Sequence, residues 1–241
     1  LYQATTCDYN VAIGHKSMSN ATVTGDNNVA VGRNSLYSCT TGNHNTAIGG
    51  SATLYGLVTG TYNTAVGVDA GQNISTGSNT TLIGYQAGTS GGAGGILVNE
   101  SNRVVLGNNQ VNNFTAQVAL TVASDERDKT DITNFTKGLD IINALRPVTY
   151  RWDNRTLYGT EEEPYGTPDG SKKSDKLNIG LIAQEVETVE KANGYASSDD
   201  DMLFIHKSSD GLNYGMCYEK LIPVLINAVK ELSARLDAAG L

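Results

Sequence analysis

Ser124 and Lys129 stand five residues apart in the stretch Ser124-Asp-Glu-Arg-Asp-Lys129, a hydroxyl and an amine on one short run of chain. A serine hydroxyl at neutral pH is a weak nucleophile and needs an adjacent base. Lysine acts as that base only when neutral; its ordinary pKa is about 10.4, so desolvation or a neighbouring cation must push it down. Arg127 is a cation within reach, whereas Asp125, Glu126 and Asp128 favour the charged amine. Read without its surroundings, the stretch is either a Ser/Lys dyad or a charged turn at a domain boundary.

The surroundings change character at this point. Residues 1–123 carry only Asp8, Asp26, Asp69, Glu100, Lys16, Arg33 and Arg103 as charged groups, and all other charge lies in 124–241. The chain totals 17 basic and 25 acidic residues, a net −8, which argues against a nucleic-acid footprint. Cys7, Cys39 and Cys217 are odd in number and widely spaced, so free structural thiols are expected, with a disulfide between copies of the chain as the alternative, and no zinc site. Neither a metal nor a cofactor is expected. No apolar run reaches the roughly 20 residues of a membrane span, so no membrane insertion is expected. The chain begins without Met and reads as a piece of something longer.

Residues 1 to about 110 repeat. Asn10-Val-Ala-Ile-Gly14, Asn28-Val-Ala-Val-Gly32, Asn45-Thr-Ala-Ile-Gly49 and Asn63-Thr-Ala-Val-Gly67 are one motif, with Thr81–Gly84 and Val104–Gly107 as degenerate copies; the motif glycines step by 18, 17, 18, 17 and 23 residues. A fixed period of this kind signals stacked repeats. Each triplet predicts a short strand whose alternate residues face a core, and the glycine after it allows a turn at positive φ. The recurring Asn predicts a polar ladder along the stack. Gly91–Gly95 breaks the period as a hinge or loop, and a last β-rich segment, Asn102–Gly107 and then Gln117–Ala123, leads to the junction. Four scattered acids do not supply the paired carboxylates of a glycosidase. His15 and His44 read as surface residues near turns.

The repeats resemble the head repeats of trimeric autotransporter adhesins and repeats of phage tail fibres, over roughly residues 10–90. The resemblance implies a trimeric array, either a single-chain β-roll in each subunit or an interleaved β-prism.

Beyond the junction, Thr136–Leu145 has helical spacing and Pro147 ends it; Val148–Trp152 reads as a strand. Residues 153–177 are polar and mixed in charge and read as a solvated insertion. Ile179–Ile182 predicts a strand and Ala183–Lys191 a helix that buries Val186 and Val189 and exposes Glu185, Glu187 and Glu190. Met202–Ile205 and Leu212–Tyr214 predict a hairpin about Ser208–Gly211. Ile222, Leu225, Val229, Leu232, Leu236 and Ala239 form a heptad seam that predicts a coiled coil; the alternative is a helix packed on its own domain. His206 reads as structural.

Ser124-Asp-Glu-Arg-Asp-Lys129 with Asp131-Ile132, Leu145-Arg-Pro-Val-Thr-Tyr-Arg-Trp152, Ile179-Gly-Leu-Ile-Ala-Gln-Glu-Val186 and Leu212–Tyr214 resemble, in order, the self-cleaving intramolecular chaperone at the C-terminus of phage tail spikes and fibres. The resemblance implies Ser124 as nucleophile, Lys129 as base and a cut between Ala123 and Ser124: a serine endopeptidase acting once on its own chain.

The expected architecture is therefore a mainly β repeat array, residues 1–123, followed by an α+β chaperone domain, residues 124–241, ending in a coiled-coil helix. The expected function is that of a homotrimeric tail fibre or spike in a virion, binding a host surface glycan or receptor and no nucleic acid. The alternatives are a cell-surface adhesin with an uncleaved cap, or a glycan-degrading spike.

Overall fold

A triplet flanked by Asn and Gly is long enough for three residues of strand and no more. Six such strands form: β1 Val11–Ile13, β2 Val29–Val31, β3 Thr46–Ile48, β4 Thr64–Val66, β5 Thr81–Ile83 and β6 Val104–Leu106. They pair in parallel, each with the next, with Ala12, Ala30, Ala47, Ala65, Leu82 and Val105 in one row. The array is thus a single-chain β-solenoid, one strand per coil. The computed structural model describes residues 6–19, 22–89, 95–111, 113–160, 162–208 and 211–240. The Gly-rich break at 91–94 and most of the 208–211 turn lie outside them.

Only the middle residue of each strand points into the coil; Ile13, Ile48, Val66, Ile83 and Leu106 point outward and are exposed. At that middle position β1 to β4 carry alanine, which leaves room in the narrow coil for Leu36, Leu54, Leu57, Ile74 and Leu97 from its other sides, all fully buried; β5 and β6 carry Leu82 and Val105 there.

The asparagine ladder forms, and it is internal. Asn28, Asn45 and Asn63 have no exposed surface. Asn45 donates from Nδ2 to the Gly60 carbonyl at 2.9 Å, and its Oδ1 accepts from the Asn63 backbone N–H at 3.0 Å. The same pattern links Asn10 to Asn28, Asn28 to Asn45 and Asn63 to Thr80. Each carboxamide thereby satisfies a turn carbonyl and the strand entry of the next coil, groups that would otherwise be buried unpaired. Gly32 shows how closely the coils approach. Its φ is 126°, and a Cβ there would lie 1.6 Å from the Gly49 carbonyl oxygen. His44 is exposed and stacks on Tyr62, ring centroids 5.0 Å apart.

The chain separates into two compact units that interleave along the sequence. The first comprises Leu1–Asn112 with Trp152–Ser174 and Ser208–Asn213; the second comprises Asn113–Arg151, Asp175–Lys207 and Tyr214–Leu241. Residues 153–174, expected as a solvated insertion, are folded and belong with the array. A 3-10 turn at Arg155–Tyr158 opens them, Asp153 accepts from the Tyr158 hydroxyl at 2.7 Å and from Gly170 N–H at 2.9 Å, and Ser174 N–H returns to the Trp152 carbonyl at 2.7 Å.

The second unit is α+β. Its helices are α1 Leu139–Ala144, α2 Ala183–Ala192 and α3 Leu221–Ala239. Two antiparallel pairs join them: β7 Val148–Tyr150 with β8 Asn178–Gly180, and β9 Ile205–Lys207 with β10 Tyr214–Met216. Ile141, Val186, Phe204, Ile205, Leu221 and Val224 make the core. Gly138 lets α1 start against α3, since a Cβ there would lie 2.7 Å from Ala228 N. Glu231 of α3 then accepts from the Leu139 N–H at 3.2 Å. That bond satisfies one of the free donors at the start of α1.

α3 combines both readings of its sequence. Leu221, Val224 and Ala228 are buried on their own domain, while the seam residues Ile222, Leu225, Val229, Leu232 and Leu236 are exposed. Gln117–Ala123, expected as β-rich, forms no strand: residues 113–134 are exposed throughout the described positions and have no partner strand in their own chain.

Candidate functional site

The junction is built by local hydrogen bonding. Asp125 caps a single 3-10 turn over Glu126–Asp128, its carboxylate accepting from the Arg127 N–H at 2.9 Å. The same carboxylate takes the Arg127 guanidinium in a two-pronged pair at 3.0 and 2.6 Å. The guanidinium holds the Asp125 carboxyl below its usual range, through the side-chain bonds first and the backbone bond second. Lys129 N–H closes the turn on the Glu126 carbonyl at 3.1 Å. One turn over residues 126–128 brings the two chemically useful groups together: Lys129 Nζ donates to Ser124 Oγ at 2.7 Å.

That distance is the one a serine and its base require. The other requirement, a dry lysine, is not met within one chain. Ser124, Lys129 and every described residue from 113 to 134 are exposed. Arg127, the cation expected to act on Lys129, is instead engaged with Asp125. Ala123 sits immediately before Ser124 in exposed chain outside any strand or helix.

The downstream motifs meet in space. β7 comes from the Leu145–Trp152 motif and β8 from the Ile179–Val186 motif, and they pair through Val148 with Gly180 and Tyr150 with Asn178. Arg146 and Glu185, one from each motif, bind side by side, Nε to Oε2 at 3.1 Å. Tyr218 adds a third tie, its hydroxyl accepting from Leu181 N–H at 3.0 Å.

Two acidic residues differ from expectation. Glu187 and Glu190, expected on an exposed helix face, are buried. Glu187 accepts from Lys191 at 2.7 Å and Lys207 at 2.6 Å, with the Tyr214 hydroxyl at 3.2 Å. Those bonds, led by Lys191 and Lys207, lower its pKa to about 2. Glu190 has no exposed surface; Oε1 accepts from the N–H groups of Leu203 and Phe204, while Oε2 has no partner. Burial pushes its carboxyl upward. Apart from Lys191, one turn on along α2, their partners lie 13 to 27 residues further along the chain, so helix periodicity alone could not reveal this burial. His206 is exposed on β9.

Cys7, Cys39 and Cys217 are free, and burial pushes the Cys39 thiol up to about 11. Among the described residues no group of three His, Cys, Asp or Glu side chains is placed to hold a metal, and no helix is long and apolar enough to cross a membrane.

Residues 124–195 match the family described as chaperone of endosialidase. The match begins at Ser124. It lies C-terminal in sequence to a β-solenoid, which fits a fragment of a phage tail fibre, and it supports a role in trimerisation and folding for the C-terminal part. No curated protein and no solved structure matches the chain.

Proposed function

We propose that the chain is part of a homotrimeric phage tail fibre or spike, carried on the virion. In this reading residues 124–241 drive trimerisation and folding, then cut the chain once between Ala123 and Ser124, leaving residues 1–123 to bind a host surface glycan or receptor. The observation that carries the proposal is the 2.7 Å bond between Lys129 Nζ and Ser124 Oγ at the first residues of the family match.

The chemistry balances on these residues. Neutral Lys129 takes the hydroxyl proton as Ser124 Oγ attacks the Ala123 carbonyl carbon. The peptide C–N bond breaks, and the proton passes to the departing nitrogen, which becomes the amine of Ser124. The ester left on Oγ is hydrolysed by water, giving the Ala123 carboxylate and the free Ser124 hydroxyl.

Three uncovered apolar features support the homotrimer: the outward row Ile13, Ile48, Val66, Ile83 and Leu106; Val118, Leu120 and Val122 before the junction; and the seam of α3. Apolar side chains repeated in register over this length mark surfaces that other copies cover. Covering the junction would also dehydrate Lys129 and favour its neutral form. Assembly and cleavage are then coupled. The first test is a denaturing gel of purified wild-type chain beside Ser124→Ala and Lys129→Ala. The proposal expects two fragments from wild type and one intact chain from each variant; an equal cut in Ser124→Ala contradicts it.

A further inference from the structure

We propose that residues 152–174 form a clasp that keeps the 124–241 product docked on the last coils of the array after the chain is cut. The inference rests on the cleavage reading and adds the fate of the products. Its residues lie on both sides of the cut but within one compact unit.

The contacts are few and specific. Tyr165, from the C-terminal side, accepts at its hydroxyl from the Ile96 N–H at 3.4 Å and from Asn213 Nδ2 at 2.6 Å. The Arg155 guanidinium lies 4.7 Å over the Tyr165 ring and donates to the Leu212 carbonyl at 2.6 Å, which fixes the ring. Asn109, from the array, donates to the Thr156 hydroxyl at 3.2 Å. Gly95 is buried with φ 84°, and a Cβ there would lie 2.2 Å from Asn213 Nδ2. Only glycine lets the two sides come this close.

The clasp is ordered by its own bonds, so docking costs it little conformational entropy. Ser174 closes its base on Trp152, and Gly166 N–H donates to the Arg155 carbonyl at 3.1 Å. A Cβ at Gly166 would lie 2.1 Å from the Tyr158 carbonyl oxygen, so this loop too is packed to contact. The cut itself falls in exposed chain outside any strand or helix and involves none of these contacts. In a trimer three clasps act together, and linked weak contacts hold far longer than one.

The test is native size-exclusion chromatography of cut full-length protein, each peak read on a denaturing gel. A second sample carries Ser124→Ala and an inserted recognition site for an added protease after Ala123, so the clasp is tested even when the dyad does not cut. Co-elution of both fragments from wild type, with separation in Tyr165→Ala/Arg155→Ala, is the expected result. Tyr165→Phe keeps the ring and loses only hydroxyl contacts, so its fragments should part roughly fivefold faster. Separation of the wild-type fragments overturns the proposal, as does co-elution in the double variant with unchanged dissociation of Tyr165→Phe. An uncut wild type beside a co-eluting protease-cut sample overturns the cleavage reading alone.

Discussion

The array and the C-terminal unit differ in what they bury beside their branched apolar residues. Among Leu36, Leu54, Leu57 and Ile74 the array also buries alanines and a row of amides, Asn28, Asn45 and Asn63, and it turns the strand residues Ile48 and Ile83 to the outside. The C-terminal unit has an ordinary core of Ile141, Val186, Phe204 and Val224, and it leaves apolar side chains uncovered at the seam of α3 and at Val118, Leu120 and Val122. The difference teaches where each region's stability comes from. Coils depend on the coils beside them and, in the proposed trimer, on other copies. The C-terminal unit closes its core within one chain, as a folding module must if it is to act first.

The sharpest way to break this comparison is a methyl group at a coil contact. Gly32→Ala drives a Cβ to 1.6 Å from the Gly49 oxygen, whereas at Gly215 in β10 the nearest atoms are 4.0 Å away. Gly32→Ala is expected to abolish folding of the array and Gly215→Ala to change stability by under about 1 kcal/mol, as read by circular dichroism and thermal melts. Next in size, Asn45→Ala leaves the Gly60 carbonyl and the Asn63 N–H buried without partners and is expected to cost about 2–4 kcal/mol. Ile141→Ala should cost about 2–5 kcal/mol. The two losses should appear in separate melting transitions, the first in the array and the second in the C-terminal unit.

Smallest is a pH effect confined to the C-terminal unit. Glu187 has a folded pKa of about 2, below its ordinary value. Its stabilisation is therefore fully present above about pH 4.5 and lost as pH falls towards 2. Glu190 has the opposite sign: its raised carboxyl makes folding less favourable as pH rises through and beyond the ordinary glutamate range. Glu187→Gln should flatten the acid limb of a stability–pH curve, and Glu190→Gln should gain stability relative to wild type between pH 4 and 7. A Glu187→Gln curve parallel to wild type would show that the Lys191–Glu187–Lys207 cluster contributes nothing.

Much of this was legible in the sequence because the determinants are local. The strand, the Asn and the turn glycine of each coil recur at a fixed step, so the solenoid and its ladder could be read from spacing. Ser124 and Lys129 meet across one short turn, and their proximity follows from position alone. What was not legible depends on distant partners. Glu187 is buried because Lys207 and Tyr214 arrive from another strand pair, and Arg155 and Tyr165 of the 153–174 segment bind Leu212, Ile96 and Asn213 outside their own polar run. The outward turn of Ile48 and Val66 follows from coil width, which composition does not express.

The central claim is that the Ser124–Lys129 pair, complete in geometry but exposed in one chain, is activated by assembly. The most direct test is intact mass against time for the wild-type chain beside Leu225→Asp/Leu232→Asp, which places charge on the exposed seam of α3 while leaving its buried face intact. The account predicts a fragment starting at Ser124 from a trimeric wild type and an uncut, monomeric variant. Cleavage of the monomer at the wild-type rate, or a wild-type trimer that stays intact, would contradict it.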